Sequence, residues 1–443
     1  MKYQHLPLAI ALGAIAQQAG AAGFIEDSKA TLGLRNFYIN QDTRNQDANT
    51  QEEWGQGFAL NYASGFTEGT IGVGVDALGL LGVKLDSGKG THYNPTSSKF
   101  SGTVFPTDSE GKAVDEFSSL GLTGKVSLAG KAEGRVGTLL PKLPVVVYND
   151  GRLLPQTFEG GQLSSSAITD LTLVGGKLEQ AKGRSSSNDT GLSISGANNA
   201  QTGQFVNEFW FGGADYKLSK DLLVQYYYGG LEDFYQQNFL GLTHSLALGS
   251  GTLKSDLRYF NSASQGKNAS VSGRADGYNS SGYWATGDSD KGEVDNNAWS
   301  ALFTYGIGGH AISAGYQELN GDSNFPYLNQ GDGATTYLIT DSLIGKFANS
   351  EENTWVAQYA YDFSTLGING LKASAVYLSG DNIASSTGDK QEWERDLRLD
   401  YVLADGPLKG LGFTVRNGVQ RGNTSTADQD ETRLSVNYTL SVL

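Results

Sequence analysis

Strict two-residue alternation of apolar and other side chains constrains this chain more than any other feature. Phe58, Leu60 and Tyr62 alternate with Ala59 and Asn61, and Ile71, Val73, Val75 and Ala77 with Gly72, Gly74 and Asp76. The same rhythm returns in Leu222/Val224/Tyr226/Tyr228, Trp299/Ala301/Phe303/Tyr305, Trp355/Ala357/Tyr359/Tyr361/Phe363 and Leu434/Val436/Tyr438/Leu440. Such a period marks strands with two unlike faces. Helical periodicity is nearly absent. The connections alternate as well. Residues 64–69, 129–132, 169–170, 218–221, 249–251, 307–309, 365–370 and 404–410 are short turns. Between them lie mostly longer, polar stretches at 40–55, 80–115, 140–160, 180–203, 230–237, 262–296, 320–352, 380–392 and 422–431. Eight turns and nine loops separate 18 strands, with 16 as the nearest alternative count.

Tight turns at one rim and long loops at the other are the pattern of a transmembrane barrel. Closure is required because hydrocarbon cannot hydrogen-bond a free strand edge. The expected fold is therefore all-β, an 18-stranded antiparallel transmembrane β-barrel with inward-folded constriction loops. Tyr38, Tyr62, Tyr259, Tyr401 and Tyr438 fall mostly near strand ends, where interfacial girdles stand.

Composition removes the alternatives. The 443 residues carry no uninterrupted apolar run of helix-spanning length and no Cys, which excludes helical spans, a disulfide framework and a thiolate zinc site. Sixty Gly without a G-X-Y period exclude collagen. A formal charge of −15 excludes a general nucleic-acid binder. No cofactor or metal is expected. Residues 1–21 read as a secretory signal peptide, with Lys2 before an apolar stretch and Ala19-Gly20-Ala21 at a cleavage site, leaving 22–443 as the barrel.

The cations point to the chemistry. Arg35, Lys125, Arg135, Lys254, Arg258, Lys372, Arg398, Arg416 and Arg433 fall on the non-apolar faces of their strands. An Arg on the lipid face costs roughly 2–4 kcal/mol at the bilayer midplane, so these side chains are expected in the bore. Such a column gives an anion successive weak sites, and Arg grips a carboxylate through two parallel N–H···O bonds. Each cation could instead simply pair with a lumenal acid such as Asp76, Asp256, Asp396 or Asp400. The balancing negative charge is expected mainly in loops, at Asp47, Glu52, Glu53, Asp108, Glu110, Asp189, Asp288, Asp290 and Glu293.

Two loops look built to narrow the bore. Residues 140–160 (LPKLPVVVYNDGRLLPQTFEG) are too apolar for an exposed rim, and 331–349 (GDGATTYLITDSLIGKFAN) are similar enough to meet them from the opposite wall.

Taken together, GFIEDS, LRNFY, EEWGQGF, SGFTEGTIGVGVDALGLLGVKLD, PKLPVVVYNDGRLLPQTF and ETRLSVNYTLSVL resemble the OprD/Occ family of substrate-specific outer-membrane porins of pseudomonads, across essentially the whole mature chain. The resemblance implies third and seventh loops folded inward, a basic ladder facing an electronegative pocket, carboxylate-bearing substrates and a monomer or weak homotrimer. It places Arg416 and Lys125 on the ladder, Arg152 in the third loop, and Asp341 and Ser342 at the seventh-loop pocket. Val376 stands where basic-amino-acid channels of the family have an Arg, and Lys346 where they have an Asp, which resembles the vanillate/benzoate-type branch. The implied partners are small organic anions, outer-membrane lipid with lipopolysaccharide, and the barrel insertion machinery, for which Leu443 replaces the usual terminal Phe.

A basic amino acid or peptide porin of the same family is the neighbouring alternative. An outer-membrane barrel enzyme would need an activated nucleophile, yet His92, His244 and His310 are the only His of the mature chain, and none sits in a catalytic pattern. A secreted carbohydrate-binding β protein would be soluble without detergent.

Overall fold

The computed structural model describes residues 22–44, 50–88, 103–195, 204–329 and 335–443; the expected signal peptide lies outside them. Eighteen strands form the wall: β1 (Lys29–Thr43), β2 (Gln51–Ala63), β3 (Ile71–Ser87), β4 (Glu116–Leu128), β5 (Ala132–Leu139) and β6 (Thr157–Ile168), then β7 (Leu171–Lys182), β8 (Phe209–Ser219), β9 (Leu222–Leu231), β10 (Tyr235–Leu248), β11 (Gly251–Ser264) and β12 (Asp295–Ile307), and finally β13 (His310–Asn320), β14 (Asn353–Asp362), β15 (Leu371–Ile383), β16 (Lys390–Val402), β17 (Gly412–Gly422) and β18 (Gln429–Ser441). Each pairs antiparallel with its sequence neighbours. The barrel closes where β18 meets β1, from Thr31↔Ser441 to Thr43↔Gln429. The alternation follows from that closure, because every strand has hydrocarbon on one side and the bore on the other.

All eight tight turns fall on one rim and the nine loops on the other. One expected long loop is short. Residues 230–237 reduce to a three-residue link at 232–234, because Leu231, Phe234 and Tyr235 are fully buried beneath neighbouring loops and extend the strands.

The bore is not uniformly polar. On one side Phe158, Leu178, Phe209, Phe211, Tyr227, Phe239 and Phe260 point inward from the wall. Val145 and Val146 of the third loop and Phe325, Leu328 and Leu338 of the seventh pack against them. Burying a large apolar side chain contributes about 1.5–3 kcal/mol, so this cluster holds the inward loops in place. Across the bore, Leu153 and Leu154 pack on Phe37, Ile39, Phe105 and Phe117. Two glycines in EEWGQGF make this second seat possible. A Cβ at Gly57 would stand 2.9 Å from the Leu153 carbonyl oxygen, and one at Gly55 2.8 Å from the Leu153 side chain.

The constriction and its charged wall

The third loop (140–156) and the described parts of the seventh (321–329 and 335–352) meet inside the barrel, bridged by backbone pairing of Val147 with Thr335. Beside them, three arginines stand in register on consecutive strands: Arg398 on β16 faces Arg416 on β17, which faces Arg433 on β18. Strands lie about 4.8 Å apart, so three like charges share one stretch of wall.

Their partners differ. Arg398 lies against Asp400, with Nε–Oδ2 at 2.6 Å and Nη2–Oδ1 at 2.8 Å. Arg433 is buried and pairs with Glu431. It also donates to the carbonyls of Leu343 (2.8 Å) and Gly151 (3.3 Å), tying both constriction loops to one strand. Arg416, half-buried between them, makes no hydrogen bond or ion pair among the described residues.

The remaining predicted cations divide by depth. Arg35 grips the third loop, reaching the Asp150 carboxylate at 2.7 and 3.1 Å and the Arg152 carbonyl at 2.8 Å. Arg152 is buried and donates to Thr103 Oγ1 at 3.1 Å. Arg258 pairs with Asp256, donates to the Tyr337 carbonyl and lies 4.2 Å from the Tyr337 ring centre, so it supports the seventh loop. Lys125 is 5% exposed, with its ammonium on Asp76 (2.6 Å) and the Ser64 carbonyl (2.7 Å); a passing solute has little access to it. Arg135 shares Asp76 at 3.3 Å and pairs with Glu133. Lys372 pairs with Asp362 at 3.1 Å at the turn-side rim. Lys254 is exposed near the 249–250 turn.

In the seventh loop, Lys346 pairs with Asp341, which also accepts from the Thr336 N–H, and Ser342 Oγ donates to the Gly345 carbonyl. The Asp341 charge is thereby matched within its own loop.

Two cavities open beneath the third loop. One of about 230 Å³ is lined by Arg35, Tyr148, Asp150, Leu153, Leu154 and Pro155. The other, of about 390 Å³, is lined by Lys29, Asp76, Thr123, Arg135, Thr138 and Gln162. Leu78, Asn61 and Leu140 line both, so the two cavities are neighbours.

Part of the negative charge stands on the strands rather than in the loops, Glu52 and Glu53 of β2 among the acids expected in loops. Glu53, Glu392, Glu394 and Glu431 are buried on the inner wall. Glu394 accepts from the N–H groups of Ile344 (2.9 Å) and Gly345 (2.7 Å), and Asp396 from that of Leu343 (2.9 Å). Glu53 accepts from Thr103 and Val104. These carboxylates hold inward loops by backbone groups that have no sheet partner. The signal lay in plain phase: Glu392, Glu394 and Asp396 share a face with Arg398 in KQEWERDLRLDY. Arg184, on the loop after β7, had no such signal. It is buried, donates to Asn149 Oδ1 at 3.1 Å, and approaches Gly151 beside Arg433.

At the foot of the seventh loop, Asn349 donates its N–H (3.0 Å) and Nδ2 (2.9 Å) to buried Glu352, and also Nδ2 to Glu392 at 3.0 Å. Burial first, then the neighbouring Glu392, pushes the Glu352 carboxyl well above the usual carboxylate range. When the loop leaves its seat, Glu352 returns to water and its ordinary value. Docking is therefore fully favoured below that ordinary value and weakens as pH rises through the raised one. Single-channel recordings should show rare loop-opening events at pH 5 and frequent ones at pH 9, and Glu352→Gln should flatten the contrast.

An apolar-walled closed barrel whose wet, charged bore is narrowed by two tethered loops is a substrate-selective porin. The sequence matches the description "outer membrane porin, OprD family" over residues 22–442. The chain belongs to the OprD family and resides in the bacterial outer membrane. It is 34% identical to the porin-like protein GalP of Pseudomonas putida, over all of this chain and 98% of that one. Among solved structures it is similar to OccK8 (OprE) of Pseudomonas aeruginosa, at 57% identity and TM-score 0.88, covering 95% of this chain and all of that one. The OpdK structure with vanillate, also from P. aeruginosa, matches at 34% identity and TM-score 0.82 with the same coverage. These relatives are porins, transport channels rather than enzymes.

Proposed function

We propose that this porin carries small carboxylate-bearing solutes, aromatic acids foremost, past the constriction along a lumenal Arg/Lys track. The observation that carries the reading is Arg416, a half-buried guanidinium set between two others and left without a hydrogen bond or ion pair among the described residues, with Asp396 and Glu431 acting on its charge only from beyond contact distance. Like charges on adjacent strands destabilise one another, and a passing carboxylate relieves that cost while accepting two parallel hydrogen bonds. Arg35 and Arg135 then face the cavities below. Tyr148, Leu153, Leu154 and Pro155 give an aromatic ring apolar company beside Arg35. The similarity to OpdK, whose structure holds vanillate, supports an acid of that kind.

A cationic substrate would need free carboxylates at the same level. Glu394 and Asp396 already accept from seventh-loop N–H groups, and Asp341 pairs with Lys346. Reversal potentials across planar bilayers, with liposome uptake of benzoate, vanillate, an aliphatic monocarboxylate and arginine, test the proposal. Anion selectivity and uptake of aromatic acids ahead of arginine are expected. A cation-selective pore that admits no monocarboxylate overturns it.

A further inference from the structure

Arg395 stands on the membrane-facing side of the wall, deeper than the loop-side end of the strands. On β16, Arg395 is in phase with Leu397, Leu399 and Tyr401, which are exposed on the outer surface, and opposite in phase to lumenal Arg398. Across the sheet its neighbours are Tyr377 and Val419. Its Nη2 donates to Asn417 Oδ1 at 2.6 Å, while its Nε is buried without a hydrogen-bond partner and no carboxylate pairs with it among the described residues. Asp430, opposite Val419 on β18, is already held by Arg421 (2.6 Å) and Arg44 (2.5 Å).

The depth is set by tryptophan. Trp54, Trp210, Trp299, Trp355 and Trp393 all lie near the loop-side start of a strand that descends toward the turns. The first four are exposed on the outer face, and Trp393 stacks on Tyr377 at 6.0 Å. Trp concentrates at membrane–water interfaces, so this ring marks the outer-leaflet boundary. Arg395 stands two residues inside it. There a guanidinium is costly unless its long side chain turns back to the headgroups and finds an anion.

We propose that Arg395 binds a phosphate of the surrounding outer-leaflet glycolipid, the phosphorylated headgroup of lipopolysaccharide. Arg suits phosphate because its planar fork gives two parallel charge-assisted hydrogen bonds. Asn417 holds one side of the guanidinium, and the Trp393–Tyr377 pair lies alongside on the same outer face. The site has no part in solute passage, so it stands or falls apart from the carboxylate reading.

The test uses the purified barrel in zwitterionic detergent, titrated with bisphosphorylated lipid A, its dephosphorylated form and inorganic phosphate, with the thermal unfolding midpoint as readout. Bisphosphorylated lipid A should raise the midpoint of the wild type. Dephosphorylated lipid A and inorganic phosphate should do so far less, the latter lacking the acyl chains that bring the headgroup to the wall. Arg395→Gln should need roughly tenfold more bisphosphorylated lipid A for the same rise, and Arg395→Lys an intermediate amount. Equal responses to both lipid A forms overturn the proposal, as does an unaltered response in Arg395→Gln. A changed sedimentation state in that variant with its lipid response intact assigns the face to a second copy of the chain instead, and overturns it too. If Arg395→Gln fails to fold, the two lipid forms on the wild type still decide.

Discussion

Uptake of benzoate-type acids should fall roughly ten- to a hundredfold when Arg416 is replaced by Ala, while permeation of an uncharged solute of similar size stays near wild type. The range follows from about 1.5–3 kcal/mol for hydrogen bonds to a charged group, at tenfold for each ~1.4 kcal/mol. Arg416 is singled out by its surroundings. Arg398 already lies on Asp400 and Arg433 on Glu431, whereas Arg416 has neither ion pair nor hydrogen bond among the described residues. Arg398→Ala should therefore have the smaller effect. Arg416→Lys should recover part of the loss, because an ammonium supplies charge but not the planar fork. Reversal potentials in the Ala variant should move toward cation permeability. Wild-type benzoate uptake by Arg416→Ala would remove the central support for a carboxylate track.

Replacing Arg433 by Ala should widen the pore rather than starve it. This side chain holds the Leu343 and Gly151 carbonyls at once, so its loss frees a point in each constriction loop and leaves buried Glu431 without its counter-ion. Breaking a buried pair from one side costs about 3–5 kcal/mol, more than a loop seated partly by backbone hydrogen bonds readily absorbs. Single-channel conductance and permeation of uncharged solutes should rise together, and discrimination among solutes should fall. Glu394→Gln should shift the same readings in the same direction by less, since the amide oxygen still accepts from Ile344 or Gly345 without the charge. That variant also serves as the test if Arg433→Ala fails to insert. A conductance unchanged in both would mean that the apolar seats alone hold the loops.

Much of this was legible before any coordinates. The strand count, the two kinds of connection and the phase of Arg398, Arg416 and Arg433 can be read from a period of two, because a closed sheet leaves each side chain only inside or outside. The inward fold of the third loop could be read too, since a rim in water would not carry Val145, Val146, Leu153 and Leu154 together. Glu392, Glu394 and Asp396 were equally readable by phase.

Other features were not written in any local pattern. Arg184 and the joint tie at Arg433 depend on loops, which have no fixed period and place side chains only through the contacts they find. The apolar cluster inside the bore looks from sequence like strands with two apolar faces, as around Phe209, Trp210 and Phe211, and only the loops packed against it explain it.

By itself, then, the sequence determined the barrel, its closure and the face on which each strand residue stands, since these follow from hydrogen-bond satisfaction in hydrocarbon and need no knowledge of neighbours. Tertiary structure alone decided which cations remain available to a solute. Lys125, Arg433 and Arg416 have the same phase signature, yet one is held by Asp76 and a carbonyl, one by Glu431 and two loops, and one by nothing among the described residues. The difference is made by chain segments far apart in sequence, and a charge's availability depends on what lies within hydrogen-bonding reach.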